Sequence, residues 1–173
     1  TLVRPNAGLL TPDVSKPGDG RDEFVLALSG AANFVRGNPH FAISLALRSN
    51  DETKIALVYS PIDERLYYAE SGRGAYVFSA FHSAKIKVSN LNEESELTVA
   101  YNTSDNRPMI GDARRTGCPA LDLAWVAAGK LDAYVSDPLD FAEIAAGDLI
   151  LREAGGTIEM MADLVATNSK VEL

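Results

Sequence analysis

The amino-acid sequence predicts an α/β (α+β) fold, with an antiparallel β-rich first half joined to an α/β second half. Three observations carry this. Four alternating or β-rich runs, His40–Leu47, Lys54–Ser60, Arg65–Ala69 and Gly74–Phe78, are separated by Ser-Asn-Asp, Pro-Ile-Asp-Glu and Ser-Gly-Arg-Gly, the pattern of an antiparallel meander. Pro119 at a first helical position and Gly129 just past an end frame a helix over Ala120–Ala128, with Leu121, Leu123, Ala124, Trp125 and Ala127 around it. From Phe141 onward, Ile144, Ala145, Leu149 and Leu151 to Ala154 recur at spacings of three and four, and Gly155-Gly156 closes that second helix.

The remaining elements follow in order. Residues 1–21 hold three prolines, three glycines and little periodic apolar pattern, and read as an irregular N-terminal segment. Residues 22–101 form the β-rich half and 102–173 the α/β half of one compact unit. Glu23–Leu28 is a short apolar strand running into Ser29-Gly-Ala-Ala-Asn-Phe34, a turn that opens a brief helix with Ser29 as N-cap. Ala84–Val88 and Glu96–Tyr101 add strands on either side of an acidic, solvated loop, and 102–111 is a polar loop between the halves. Lys130–Val135 and Gly156–Met160 are strands flanking the second helix, and a polar tail closes the chain. Asp140 falls at the N-cap of that helix with Glu143 three residues on, the spacing of a capping box.

Composition bounds the function. A chain of 173 residues with 46% apolar and 23% charged side chains buries a proper core. No apolar run reaches membrane-span length and no leader pattern opens the chain, so a cytoplasmic location is expected. The single cysteine, Cys118, agrees with a reducing compartment. A net charge of −8, from 24 acidic and 16 basic side chains, disfavours nucleic acid as a partner.

Three blocks carry a family likeness: Asn33-Phe-Val-Arg-Gly-Asn-Pro-His-Phe-Ala-Ile-Ser-Leu-Ala-Leu47, the run from Gly117 to Ala133, and Ala145-Ala-Gly-Asp-Leu-Ile-Leu-Arg-Glu-Ala-Gly-Gly156. Together, and in this order, they resemble the inositol monophosphatase family. The resemblance implies the layered fold of that family, shared with fructose bisphosphatase, and a phosphomonoester hydrolysis in which carboxylates hold Mg²⁺ ions that activate water.

Carried over position by position, the resemblance implies a degenerate site. The family's first acidic motif falls near Thr11-Pro12-Asp13, leaving Asp13 alone. Its second, Asp-Pro-Ile/Leu-Asp-Gly-Thr-Thr-Asn-Phe, places its metal-binding aspartates at Leu26 and Ser29 and its water-positioning threonine at Ala31. The aspartate of the third, Trp-Asp-x-Ala-Ala-Gly, falls at Glu143, and the glutamate that contacts the inositol ring falls at Ser136. Mg²⁺ needs several oxygen ligands in near-octahedral geometry, which a leucine cannot supply. The expectation is therefore a shortened family member without bound metal or phosphatase activity, acting through protein contacts or regulation.

Two alternatives stay open. Asp137, Asp140 and Glu143 offer three carboxylates near one helix N-terminus, which would serve an active Mg²⁺-dependent phosphomonoesterase with a rearranged site. The amides of Gly30, Ala31 and Ala32 would serve a phosphate-binding sensor. Cys118 and Ser136 stand where the family makes substrate contacts. Covering helices of the family also have no counterpart in this sequence, so an apolar sheet face is expected around His40–Leu47 and Lys54–Ser60, with a homodimer as its cover.

Overall fold

The computed structural model describes residues 7–18, 20–104, 109–160 and 163–171. The first half is an eight-stranded sheet: β1 (Gly8–Leu10), β2 (Ser15–Lys16), β3 (Asp22–Ser29), β4 (Ala42–Ser49), β5 (Glu52–Ser60), β6 (Arg65–Glu70), β7 (Gly74–Ser79) and β8 (His82–Ile86), in spatial order β2-β1-β3-β4-β5-β6-β7-β8. The short helix α1 (Ala31–Val35) lies between β3 and β4. The strands β3 to β8 pair antiparallel, each with the next. Asn50 and Asp51, at φ 52° and 65°, form a two-residue connection from β4 to β5, the left-handed pair that a tight hairpin requires.

The second half supplies β9 (Thr98–Asn102), β10 (Asp112–Arg114), α2 (Pro119–Ala127), β11 (Ala133–Ser136), α3 (Phe141–Glu153), β12 (Thr157–Met160) and β13 (Leu164–Thr167). Its five strands form a mixed sheet in the order β10-β9-β11-β13-β12, with β9 parallel to both β10 and β11. The helices α2 and α3 lie between the two sheets, α3 against β3, β5 and β6 and α2 against α3, β11 and β13. Three layers result.

The large sheet sorts its residues by size. Its inner face carries Ala46, Ala56, Ala69 and Ala75, all fully buried, so α3 settles close to the strands. Where the helices cross, Gly147 makes contact possible: a Cβ there would stand 2.7 Å from the Leu123 Cβ. The outer face carries the large side chains. One ladder runs Leu26, Leu45, Leu57, Tyr68, Tyr76 across β3 to β7, and the next runs Leu28, Ile43, Tyr59, Leu66, Phe78. Every member is half-buried or exposed, with Leu28 at 46%.

Several expectations need correction. Residues 8–10 and 15–16, read as irregular, are strands, with β1 parallel to β3. Ser29 does not cap α1: it ends β3, and the N-cap is Gly30 at φ 78° with no side-chain hydrogen bond. Asp140 stands at the N-cap of α3, yet its side chain makes no capping hydrogen bond; Glu143 reaches it only through its backbone N–H, which donates to the Asp140 carbonyl at 3.0 Å. The strand Thr98–Asn102 leaves the meander and joins the second sheet, and the tail contains β13. Part of the polar loop 102–111, residues 105–108, lies outside the described residues.

Candidate functional site

Two of the family-like blocks, those beginning at Asn33 and Gly117, meet where β3 ends, α1 begins and α2 starts. Ser29 is buried on the inner face, and its Oγ accepts the Ala120 N–H at 3.0 Å, so a strand residue caps the helix α2 from outside. The Cys118 thiol lies 3.5 Å from the Ser29 carbonyl and Oγ. Gly30 must be glycine here: beyond its positive φ, a Cβ would sit 2.8 Å from the His40 carbonyl. The Asn33 side-chain amide donates to the carbonyls of His40, at 2.7 Å, and Thr116, at 2.8 Å. That one amide ties together α1, the loop before β4 and the loop before α2.

Beneath this knot lies a fully buried carboxylate. Asp122, in the first turn of α2, accepts from the Thr116 hydroxyl and faces His40 Nε2 at 3.4 Å; the His40 ring meets Trp125 edge-on, 4.9 Å between centroids. Burial pushes the Asp122 carboxyl up from its ordinary value, against the hydrogen bonds from His40 and Thr116. Burial likewise raises the Cys118 thiol, to about 11, so it is protonated at neutral pH and no ready nucleophile.

The other positions singled out from the sequence scatter around this junction, and Leu26 and Ser29 are separated by the sheet itself. Because β3 is regular through Ser29, the two residues, three apart, point to opposite faces, Leu26 38% exposed and Ser29 3%. Ala31 and Ala32 are exposed in the first turn of α1, and Asp13 is exposed in the bend between β1 and β2. Asp137 accepts the Ser104 N–H at 2.9 Å, Asp140 is exposed and Glu143 half-buried. Among the described residues, no three His, Cys, Asp or Glu gather where they could hold a metal ion.

Cys118 and Ser136, placed at substrate contacts by the resemblance, are both fully buried, so neither offers an atom to a solute in this conformation. Ser136 lies beside the buried Tyr134; their hydroxyls face each other and Asn102, yet neither attains hydrogen-bonding geometry. Sequence reasoning missed Asp122, Thr116 and the role of His40. One signal was present: an aspartate between Leu121 and Leu123 on a helix with no polar face.

A family model described as the inositol monophosphatase family matches residues 28–164. The chain belongs to the inositol monophosphatase family. It is 37% identical over 146 residues to the Nus factor SuhB of Pasteurella multocida, covering 76% of this chain and 53% of that protein. It is 34% identical over 172 residues to the inositol-1-monophosphatase of Rhizobium meliloti, covering 89% of this chain and 63% of that protein. It thus spans little more than half the length of these curated relatives. The solved structure of the extragenic suppressor protein suhB from Bartonella henselae superimposes with a TM-score of 0.86 at 30% identity, over 96% of this chain and 76% of that one. The Thermotoga maritima IMPase superimposes with a TM-score of 0.83 at 26% identity, over 96% and 71%. The layered inositol monophosphatase fold expected from the sequence is the fold observed.

Proposed function

We propose that this family member does not hydrolyse phosphomonoesters and acts through protein contacts in the cytoplasm. The observation that carries this reading is the opposition of Leu26 and Ser29 across β3. The family motif needs two oxygen ligands at these positions on one ion; here one position offers an apolar side chain to the outer face, and the other has its oxygen engaged in capping α2. The motif's proline falls at Ala27, which pairs with Ser44 inside the ladder, where a proline would interrupt the strand. The residues present therefore do not fit Mg²⁺.

The relatives lend support from another direction. Several, including those of Pasteurella multocida and Haemophilus influenzae, are named Nus factor SuhB, as factors and not for a hydrolytic activity, so a role other than turnover has precedent within the family. An anion-binding role for the Gly30, Ala31 and Ala32 amides is less well supported, because they open α1, a helix of five residues with a correspondingly small dipole. No helix among the described residues is long and apolar enough to cross a membrane. The test is an assay of the purified protein on inositol monophosphate and nucleoside monophosphates with Mg²⁺. Turnover at background is expected; turnover that rises with Mg²⁺ and disappears with chelator overturns the reading.

A further inference from the structure

Two glycine amides in the large sheet hold a carboxylate that belongs to the last residue of α3. They lie in the turn from β6 to β7, Ser71-Gly-Arg-Gly74, where each of the four N–H groups has its own partner. Ser71 donates to the Lys54 carbonyl at 3.0 Å and Arg73 to the Glu70 carbonyl at 2.8 Å, and these two bonds close the turn on the sheet. Gly72 and Gly74 donate instead to the two oxygens of Glu153, Oε1 and Oε2, each at 2.7 Å. Both glycines have positive φ, 76° and 84°, and this left-handed backbone makes the concave set of amides that takes up anions. The Lys85 side chain lies across Gly74, where a Cβ would meet its Cε at 2.9 Å and its Nζ at 3.2 Å, so a positive charge stands beside the same amides.

We propose that this turn is a carboxylate-binding site whose resident ligand is Glu153, and that the clasp fixes where α3 lies along the large sheet. Glu153 is the final residue of α3, where the helix macrodipole disfavours a negative charge. Two short bonds offset that disadvantage, because a carboxylate that accepts N–H groups through both oxygens makes charge-assisted, directional contacts. Direction is what the packing of α3 lacks. Ala46, Ala56, Ala69 and Ala75 form one buried ladder across β4 to β7, a level floor that lets the helix come close and offers few ridges to stop it sliding. The clasp joins residues 81 and 79 positions apart and supplies that stop at the C-terminal end of α3. The Val88 N–H, on the Ala154 carbonyl at 3.2 Å, adds a longer bond at the same end.

The test combines hydrogen exchange followed by NMR with thermal melts, and its probe is formate. In the natural chain the Gly72 and Gly74 amides should exchange on the order of tenfold more slowly than exposed amides, or slower still. Glu153→Ala should free them, loosen Ile150 to Arg152 at the end of α3, and lower the melting temperature by about 5 °C. Formate added to Glu153→Ala should slow both glycine amides again and raise the melting temperature in a saturable way. It should leave the end of α3 fast, because a free carboxylate fills the turn without tying it to the helix. In the natural chain, and in Glu153→Gln, whose side chain keeps one acceptor in the turn, formate should do little. Fast exchange at both glycines of the natural chain overturns the proposal whether or not any variant folds. So does a folded Glu153→Ala that keeps the protection of α3 or its melting temperature, or that shows no saturable response to formate. A response of equal size in the natural chain also overturns it, since that is a general salt effect.

Discussion

Asp122 is a carboxylate held where water cannot reach it, and its protonation should be measurable through stability. Burial raises its folded value above the ordinary 3.8, so the folded chain binds this proton more tightly than the unfolded chain. Its contribution is therefore fully present below 3.8 and is lost as pH rises through the folded value. In Asp122→Asn this dependence vanishes, while Thr116 and His40 can still donate to the amide oxygen. Urea unfolding from about pH 3.5 to 7 should show the stability of the natural chain falling relative to Asp122→Asn as pH rises. A relative gain with pH would mean that the His40 contact outweighs desolvation. The contact joins residues 82 positions apart, and for that reason no local pattern in the sequence showed it, although a charge set between two leucines on an apolar helix marked Asp122 itself.

Among the elements, capping separates Ser29 and Asp140, which both read from the sequence as N-caps. Ser29→Ala should cost about 1–2 kcal/mol, because it strips the cap of α2 and leaves the Ala120 N–H buried without a partner. Asp140→Ala should cost only a few tenths of that, since the Asp140 side chain makes no capping bond to α3. Thermal melts of both variants check the order, and an equal loss contradicts it. Elements of five residues or more with clear periodicity were legible beforehand, β3 to β7 by alternation and α2 and α3 by their Pro and Gly frames. The strands β1, β2, β10 and β13 were not: at two to four residues each, they carry too little alternation to stand out, and they exist because a long neighbour offers a ladder to join. The same limit hid the cap, since Ser29 serves a helix 91 residues away.

For the whole molecule, the position of the site was readable and its internal geometry was not. Two of the family-like blocks, at Asn33 and at Cys118, converge beside Ser29 and Gly30, while the third packs on α2 through Gly147; only the strand's regularity reveals that Leu26 looks away from the junction. It follows that Leu26→Asp with Ser29→Asp should restore neither turnover nor a Mg²⁺-dependent rise in melting temperature, because the two carboxylates would lie on opposite faces of one sheet. A chelator-sensitive rise would refute this. The layer order also dictates a schedule for synthesis. The large sheet has all its strands by Ile86, whereas the helices that cover its inner face end only at Glu153. A ribosome adding about 5–20 residues per second needs roughly 3 to 13 s for the intervening 67 residues, and through that interval the inner face of the nascent sheet has no α2 or α3 to cover it. A translational pause within residues 87–153 should therefore lengthen the exposure of that inner face to aggregation more than a pause anywhere after them.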